Sequence, residues 1–556
     1  MSRRFVPVGP GLRVATALRG LRVRGYATDD LRADATAGVT LGVVALPLSM
    51  ALAIAAGAPP EHGLFTAIVA GIVIALLGGS MHSVSGPTAA FVVLLAPVTA
   101  RYGLEGLLVA SLMSGMILIA MGVLRLGGLI QFIPHPVTTG FTAGIGLVIA
   151  VLQIGDFLGV GRLEGERIWD RISDLIAKAA GTRWQDVAVG VITLAVLVGL
   201  PKATRRVPAP LAALIVATLV GLALDVAGWD VATIGSQFGG IPAAPPLPRL
   251  PWSGSGISWT VVGELVPTAA AIAMLGAIES LLCAVVADGM AGGRHDPDAE
   301  LVGLGIGNVV APFFGGFAAT GAIARTATGI RAGGRTPIAV VIHSAFLLLA
   351  ILVLAPARGF IPMAGMAGLL RVVAWNMSEP GHFFHIVRIA PRSDVVVLLV
   401  CFGLTVIFDM VVAVSVGVVL AALLFMRRMV EISGAQLVGG PEGHKAVGLP
   451  PGVVFYDVGG PLFFGAAEKA LEALTVVEGG VHTVIIDLED VPAVDATGLV
   501  ALDSAVHRLN GAGIKVVLTG VQPQPHRALA KAGFADRPPL LEIAEDVDIT
   551  LTRFHT

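Results

Sequence analysis

Residues 316–331 join a run of small side chains to an arginine, Arg325, between strongly apolar stretches. An arginine at membrane depth is expensive and is kept there for a purpose. A short helix start beside it, with bare N–H groups and the positive end of the helix dipole, makes an anion site. A second segment of the same kind is Ser83-Val84-Ser85-Gly86-Pro87-Thr88-Ala89-Ala90, where a backbone breaker precedes another small-residue helix start. Pro87 suits the first helical turn, because the N–H it lacks has no intrahelical partner there. Taken alone, Gly86-Pro87 also reads as an ordinary kink, and Arg325 as a structural arginine paired with a carboxylate or with capping carbonyls.

Glu279 is the other residue with chemistry to offer. It stands in residues 272–287, an otherwise uncharged span, so its ionised form needs a partner or water. A carboxyl that alternates between neutral and charged forms at that depth carries a proton; permanently paired with Arg325 or another cation, it is only structural. Asp409, by contrast, falls at a turn between the last two apolar segments and reads as a cap.

These residues need a frame that holds them in hydrocarbon, and the composition supplies one. Of 556 residues 55% are hydrophobic and 13% charged, with mean hydropathy +0.86, against about 25% charged in soluble proteins. No Asp, Glu, Lys or Arg occurs in residues 35–60 or 62–100, each run longer than the roughly 20 residues that span a bilayer. The chain is therefore a polytopic membrane protein, for which the net charge of −2 says nothing about partners. Cys283 and Cys401 both lie in apolar runs and offer no disulfide or metal framework. The arginine-rich start (Arg3, Arg4, Arg13, Arg19, Arg22, Arg24) lacks the short apolar core of a signal peptide.

The apolar segments resolve into fourteen membrane helices, centred at about residues 45, 70, 93, 115, 143, 192, 217, 274, 307, 326, 346, 368, 401 and 418. The basic residues at the N-terminus and at Arg125, Lys202/Arg205/Arg206, Arg294, Arg331/Arg335, Arg388/Arg392 and Arg427/Arg428 then share one side, which makes that side, and both termini, cytoplasmic. Residues 162–186 mix both charge signs and read as an amphipathic surface helix, and the proline-rich residues 241–251 as an extended external connection. The two breaker segments fall on the third helix of seven and the tenth of fourteen. Seven is odd, so the second half enters the membrane from the opposite face and the two short helices meet tip to tip near the midplane, as in inverted-repeat transporters.

After Arg428 the pattern changes to strands alternating with helices: 453–458, a helix over 466–474, 483–488, a helix opening at Asp495-Ala496-Thr497-Gly498, 515–519 and a helix near Ala528. That is a small α/β domain. The expected organisation is a cytoplasmic N-terminal segment 1–30, a transmembrane transporter domain 31–430, a linker 431–452 with glycines between Gly434 and Gly440, and the α/β domain 453–556.

Residues 275–290 with Ala277-Ile278-Glu279-Ser280-Leu281 at their centre, Glu300-Leu301-Val302-Gly303, Ile306-Gly307-Asn308 with Ala311-Pro312-Phe313-Phe314-Gly315-Gly316, Ala322-Ile323-Ala324-Arg325, and Gly57-Ala58-Pro59-Pro60 with Gly63-Leu64 resemble the SulP (sulfate permease) anion transporter family. Val373-Ala374-Trp375-Asn376-Met377-Ser378-Glu379 and Gly459, Pro461, Leu462, Phe463 and Phe464 are most similar to its bacterial four-carbon dicarboxylate branch. The likeness runs from about residue 25 to the end.

The resemblance implies seven plus seven inverted helices, an elevator-like core moving against a gate domain, a homodimer and a C-terminal STAS domain. It places the substrate against Leu48, Ser49 and Leu52, Thr88 and Ala89, and Ile323, Ala324 and Arg325. Many relatives carry Gln where Leu48 stands here. Glu279 matches a position associated with coupling to H⁺ or Na⁺. Asp495-Ala496-Thr497-Gly498 matches a loop whose hydroxyl residue is phosphorylated in anti-sigma-factor antagonists, making Thr497 the candidate; a plain helix cap explains the same residues. A regulatory protein or nucleotide is the partner expected there.

The expected function is proton-coupled symport of succinate, fumarate or aspartate across the inner membrane, with sulfate or bicarbonate as the alternative. An anion channel, or a sensor signalling through the STAS domain, stays open as another class. No cofactor, metal centre, nucleic-acid contact or enzyme constellation is expected.

Overall fold

In hydrocarbon a long charge-free segment can satisfy its backbone only through its own hydrogen bonds, which dictates helices. The computed structural model describes residues 14–128, 134–163, 165, 168–204, 207–239, 244–253, 258–353, 359–408, 410–432, 434–437, 449–463, 467, 471, 480–534, 540–544 and 550. All fourteen expected helix centres lie inside helices.

The first half contains α1 (Thr16–Arg24), α2 (Thr28–Ala55), α3 (Pro60–Leu77), a two-residue strand β1 (Ser85–Gly86), α4 (Ala89–Val123), α5 (His135–Leu152), α6 (Ile154–Leu158), α7 (Ile168–Lys178), α8 (Trp184–Ala203), α9 (Ala209–Val226) and α10 (Ile234–Phe238). The second contains α11 (Trp259–Ala291), α12 (Pro297–Val310), β2 (Thr320–Gly321), α13 (Ile323–Arg331), α14 (Ile338–Val353), α15 (Met363–Ser378), α16 (Pro380–Ile389), α17 (Arg392–Ile407) and α18 (Met410–Ile432).

Among the described residues seven helices are long and apolar enough to cross a bilayer on their own: α2, α3, α4, α5 continued by α6, α8, α9 and α11. After α11 the second half includes shorter pieces: α12, α13, α14, α15 and α17 run 9–16 residues. Gly103, at φ 67 and ψ −169, breaks α4 into arms over residues 89–102 and 104–123, the third and fourth helices expected from sequence. At a rise of about 1.5 Å per residue, the 9-residue α13 is a half-helix, as the first arm of α4 is a shortened one.

The packing is reciprocal between the halves. α4 lies against α11 and α12, while α14 lies against α2 and α3, so the fourth helix of each half seals the first two of the other. A second group repeats the exchange: α5 packs on α15 and α17, and α15 packs on α5 and α8. The expected amphipathic segment is α7, and residues 244–250 of the proline-rich connection are without regular structure.

At the far end of α13, Asp34 fixes the following turn. It accepts hydrogen bonds from Arg335 N (2.7 Å), Thr336 N (3.2 Å) and Thr336 Oγ1 (2.5 Å). Asp30 adds ion pairs to Arg24 (2.8 Å) and Arg335 (3.2 Å). α1 is tied to the end of α3 by the Ala15 N to Leu77 O bond at 2.7 Å.

The chain divides into compact units at residues 1–418 and 419–556. The second is an α/β unit with strands β3 (Gly434–Leu437), β4 (Val453–Gly459), β5 (Thr483–Asp487), β6 (Lys515–Thr519) and β7 (Leu541–Ile543), and helices α19 (Ala496–Gly511) and α20 (Pro523–Lys531). The sheet order is β3-β4-β5-β6-β7, with β3 antiparallel to β4 and the rest parallel. Buried along its whole length, β5 carries the apolar triplet Val484-Ile485-Ile486 between Thr483 and Asp487.

β3 corrects the expected linker 431–452: its Gly434–Leu437 backbone pairs from Gly434↔Gly459 to Leu437↔Tyr456, and two extra edge strands therefore flank the three read from sequence. Residues 438–448 of that linker, Asp409, Arg3, Arg4, Arg13, Arg205, Arg206, residues 241–243 and most of the helix expected over 466–474 lie outside the described residues. Of that helix Ala467 and Leu471 are described, both buried.

Candidate functional site

The two breaker segments meet. β1 pairs antiparallel with β2 in the register Ser85↔Gly321 and Gly86↔Thr320. Ala322 N bonds Val84 O at 2.9 Å and Val84 N bonds Thr326 Oγ1 at 2.8 Å. The chain leaves this ribbon in opposite directions to start α4 and α13, so two helix N-termini flank one point.

Non-helical backbone survives inside a membrane protein only if every N–H and C=O is satisfied, and the flanking side chains see to it. Glu300 Oε2 accepts from Gly79 N (2.9 Å) and Ser80 N (3.0 Å), and its Oε1 accepts from Ser280 Oγ (3.2 Å). On the other strand Thr66, Ser111 and Asn308 accept from Phe317 N, Ala318 N and Ala319 N at 2.8, 2.9 and 2.8 Å.

Neither helix start is capped by a side chain. Thr88 is of a type that normally caps, yet its hydroxyl turns away and donates to Glu279 Oε2 at 3.2 Å. The first N–H groups of α4 and α13 are thereby left for a ligand, which the dipoles favour as an anion.

Arg325 is 3% exposed. Its Nη2 donates to Pro87 O at 2.5 Å, so α13 grips the strand that opens α4, while Nε and Nη1 have no partner. A Cβ at position 86 would sit 2.6 Å from Arg325 Nη1, so a side chain there would displace the guanidinium from its place against β1. The pair between Glu279 and Arg325 weighed from sequence is not formed: Arg325 takes the carbonyl and Glu279 takes Thr88.

The expected residues fall around this crossing as follows. Thr88 is half-buried and Ala89 buried at the start of α4; Ile323 (44% exposed) and Ala324 are exposed at the start of α13. Leu48 is half-buried and Ser49 and Leu52 are buried on α2, a helix that packs along α13. Thr497 is placed separately, exposed in the first turn of α19, where Asp495 caps the helix by accepting from Gly498 N at 2.7 Å. Sequence reasoning named Ser85 and Glu300 only as parts of longer segments, without a role, and missed His343 altogether. The signal was a polar residue in an apolar run: His343 stands alone with Ser344 in α14.

Two inverted halves whose broken helices cross at the centre are the architecture of a secondary transporter. Residues 31–401 match the sulfate permease family and residues 445–548 the STAS domain, so the chain belongs to the sulfate permease family of anion transporters. It is 39% identical over 516 residues to the putative sulfate transporter YvdB of Bacillus subtilis (strain 168), covering 92% of this chain and 96% of that protein. It is 29% identical over 539 residues to the bicarbonate transporter BicA of Picosynechococcus sp., covering 92% of each.

Among solved structures it is similar in fold to murine Slc26a9 in the inward-facing state (TM-score 0.84, 18% identity, 96% of this chain and 93% of that one). It is also similar to the transmembrane domain of a cyanobacterial BicA (TM-score 0.61, 29% identity, 71% and 98%).

Proposed function

We propose that the chain is a proton-coupled symporter of small oxyanions in the bacterial inner membrane, with both termini cytoplasmic. The observation that carries this reading is the pair of uncapped helix starts flanked by a buried, incompletely paired arginine and by a carboxyl bonded to Thr88. In it the anion lies between the starts of α4 and α13, against Leu48, Ser49 and Leu52 of α2, Thr88, Ala89, Ile323 and Ala324, with Arg325 adding positive charge from behind Gly86. Glu279 binds and releases the coupling proton, and the group containing α2 to α4 and α11 to α14 moves against the rest like an elevator, in a homodimer.

Compact oxyanions such as sulfate or bicarbonate suit one cation and two converging dipoles, and the relatives named above are described as carrying them. Four-carbon dicarboxylates (succinate, fumarate, aspartate) are the second reading, favoured by residues 373–379. Uptake of radiolabelled sulfate, bicarbonate and succinate into proteoliposomes under an inward proton gradient separates the classes: uphill accumulation of one of them is the expected result. Flux that only ever equilibrates would make the protein a channel and overturn the symporter.

The STAS domain in this reading binds a cytoplasmic regulatory protein or nucleotide, with Thr497 as its phosphorylation candidate. Residues 433–556 are expected to fold alone, since their sheet and its apolar layers are built within the unit. Truncation after Glu431 is expected to leave substrate affinity within about twofold while changing transport rate or assembly; a charge at a helix start is tolerated, so Thr497→Glu should alter partner binding without unfolding the domain. Melts of residues 433–556 and affinity of the truncated protein check this. Loss of binding on truncation would show the two units act as one.

A further inference from the structure

His343 is 0% exposed, and neither ring nitrogen has a hydrogen-bond partner; the Val340 carbonyl one turn back lies near the ring without the alignment of a bond. Two other buried groups are equally unpaired, Ser85 Oγ in β1 and Arg325 Nε and Nη1. At Gly71 of α3 an added Cβ would meet Ser344 Oγ at 3.4 Å, Ser85 O at 3.5 Å and Val340 Cγ1 at 3.8 Å, so the His343 region of α14 faces the ribbon. The Arg325 guanidinium lies against Gly86, the next residue of β1, and is within electrostatic range of the imidazole.

An unmade buried hydrogen bond costs about 1–3 kcal/mol, and native proteins leave few. Three such groups on elements that pack in succession, α14 on α3, α3 on β1 and β1 on β2, are therefore not incidental. The charges on the elements packed against α14 stand at helix starts: α2 carries Asp29, Asp30, Arg32 and Asp34 in its first two turns, and α3 carries Glu61 and His62 in its first turn. The set holds more donors than acceptors, with the imidazole and hydroxyl able to act as both.

We infer that His343, Ser85 and the free N–H groups of Arg325 form one buried hydrogen-bonded network, bridged by water, through which His343 sets the orientation of the Arg325 guanidinium and hence the anion affinity of the site. His343 is a positioning residue, acting through Arg325, and the inference rests on the reading of Arg325 as the cation of the site.

The test is a double-mutant cycle on full-length protein, with affinity measured for labelled sulfate, bicarbonate and succinate and with melting midpoints as a check on folding. His343→Leu is expected to weaken binding of the transported anion about tenfold, the equivalent of one charged hydrogen bond. His343→Gln, which restores a donor and an acceptor, should stay within about threefold of wild type. In an Arg325→Ala background His343→Leu should have no further effect. His343→Phe, which keeps a planar ring, serves as the apolar variant if leucine prevents folding. Wild-type affinity in the folded apolar variant, or losses that add to those of Arg325→Ala, would overturn the inference. If Arg325→Ala itself binds like wild type, the reading of the site has failed instead, a result distinguishable from failure of the His343 network alone.

Discussion

Arg325→Ala is expected to give a folded protein whose affinity for its anion falls about ten- to hundredfold, the worth of a charge-assisted hydrogen bond of about 1.5–3 kcal/mol. The ribbon that crosses the two halves does not depend on this side chain: β1 and β2 keep their own pairing, and Val84 keeps its bonds to Thr326 and Ala322. What disappears is the cation behind Gly86 and the bond to Pro87 O. Arg325→Lys discriminates between those two losses. Lysine keeps the charge without the planar fork, so recovery of most of the affinity would assign the effect to charge, and no recovery to the grip on β1. Equilibrium binding of labelled anion, with a melt for each variant, is sufficient, and unchanged affinity in Arg325→Ala would remove the residue from the site.

How much of this was legible beforehand follows from the range of each signal. Charge-free runs are local, and every helix centre read from them lies in a helix; even the division of α4 was visible as two centres, at about 93 and 115, although the chain bends there only through the backbone of Gly103. That the two breaker segments meet was legible because symmetry relates the third and tenth helices, although their strand pairing was not. Partner choice was not. Thr88 to Glu279 spans 191 positions and Arg325 to Pro87 spans 238, and no local pattern says whether the arginine takes a carboxylate or a carbonyl. Glu300 stood out only as part of a family-like motif, and only the fold reveals that it holds two N–H groups of a distant loop. β3 escaped because four residues of an edge strand carry too little alternation to stand out from a glycine-bearing linker.

Glu279→Gln is expected to abolish proton-driven accumulation while leaving anion exchange intact. The substituted amide would still offer an oxygen to Thr88 Oγ1, so the hydroxyl stays turned away and the N–H groups opening α4 stay uncapped. The site therefore keeps its shape. What the amide cannot do is gain or lose a proton. An ionised carboxyl beside the anion opposes binding and a neutral one does not, so protonation and anion binding favour each other, and by linkage each draws the other in by the same factor. In the proposed symporter that mutual preference couples the two movements. An inward gradient of about one pH unit supplies about 1.4 kcal/mol per proton, enough for tenfold accumulation. Wild-type proteoliposomes should approach that ratio, and the variant should stop at equal concentrations while still exchanging internal for external label. Among the described residues no cation pairs with Glu279 to serve as a structural reason for its charge. Retention of the full pH-driven ratio in Glu279→Gln would nevertheless make the residue a support for Thr88 and move the coupling group elsewhere.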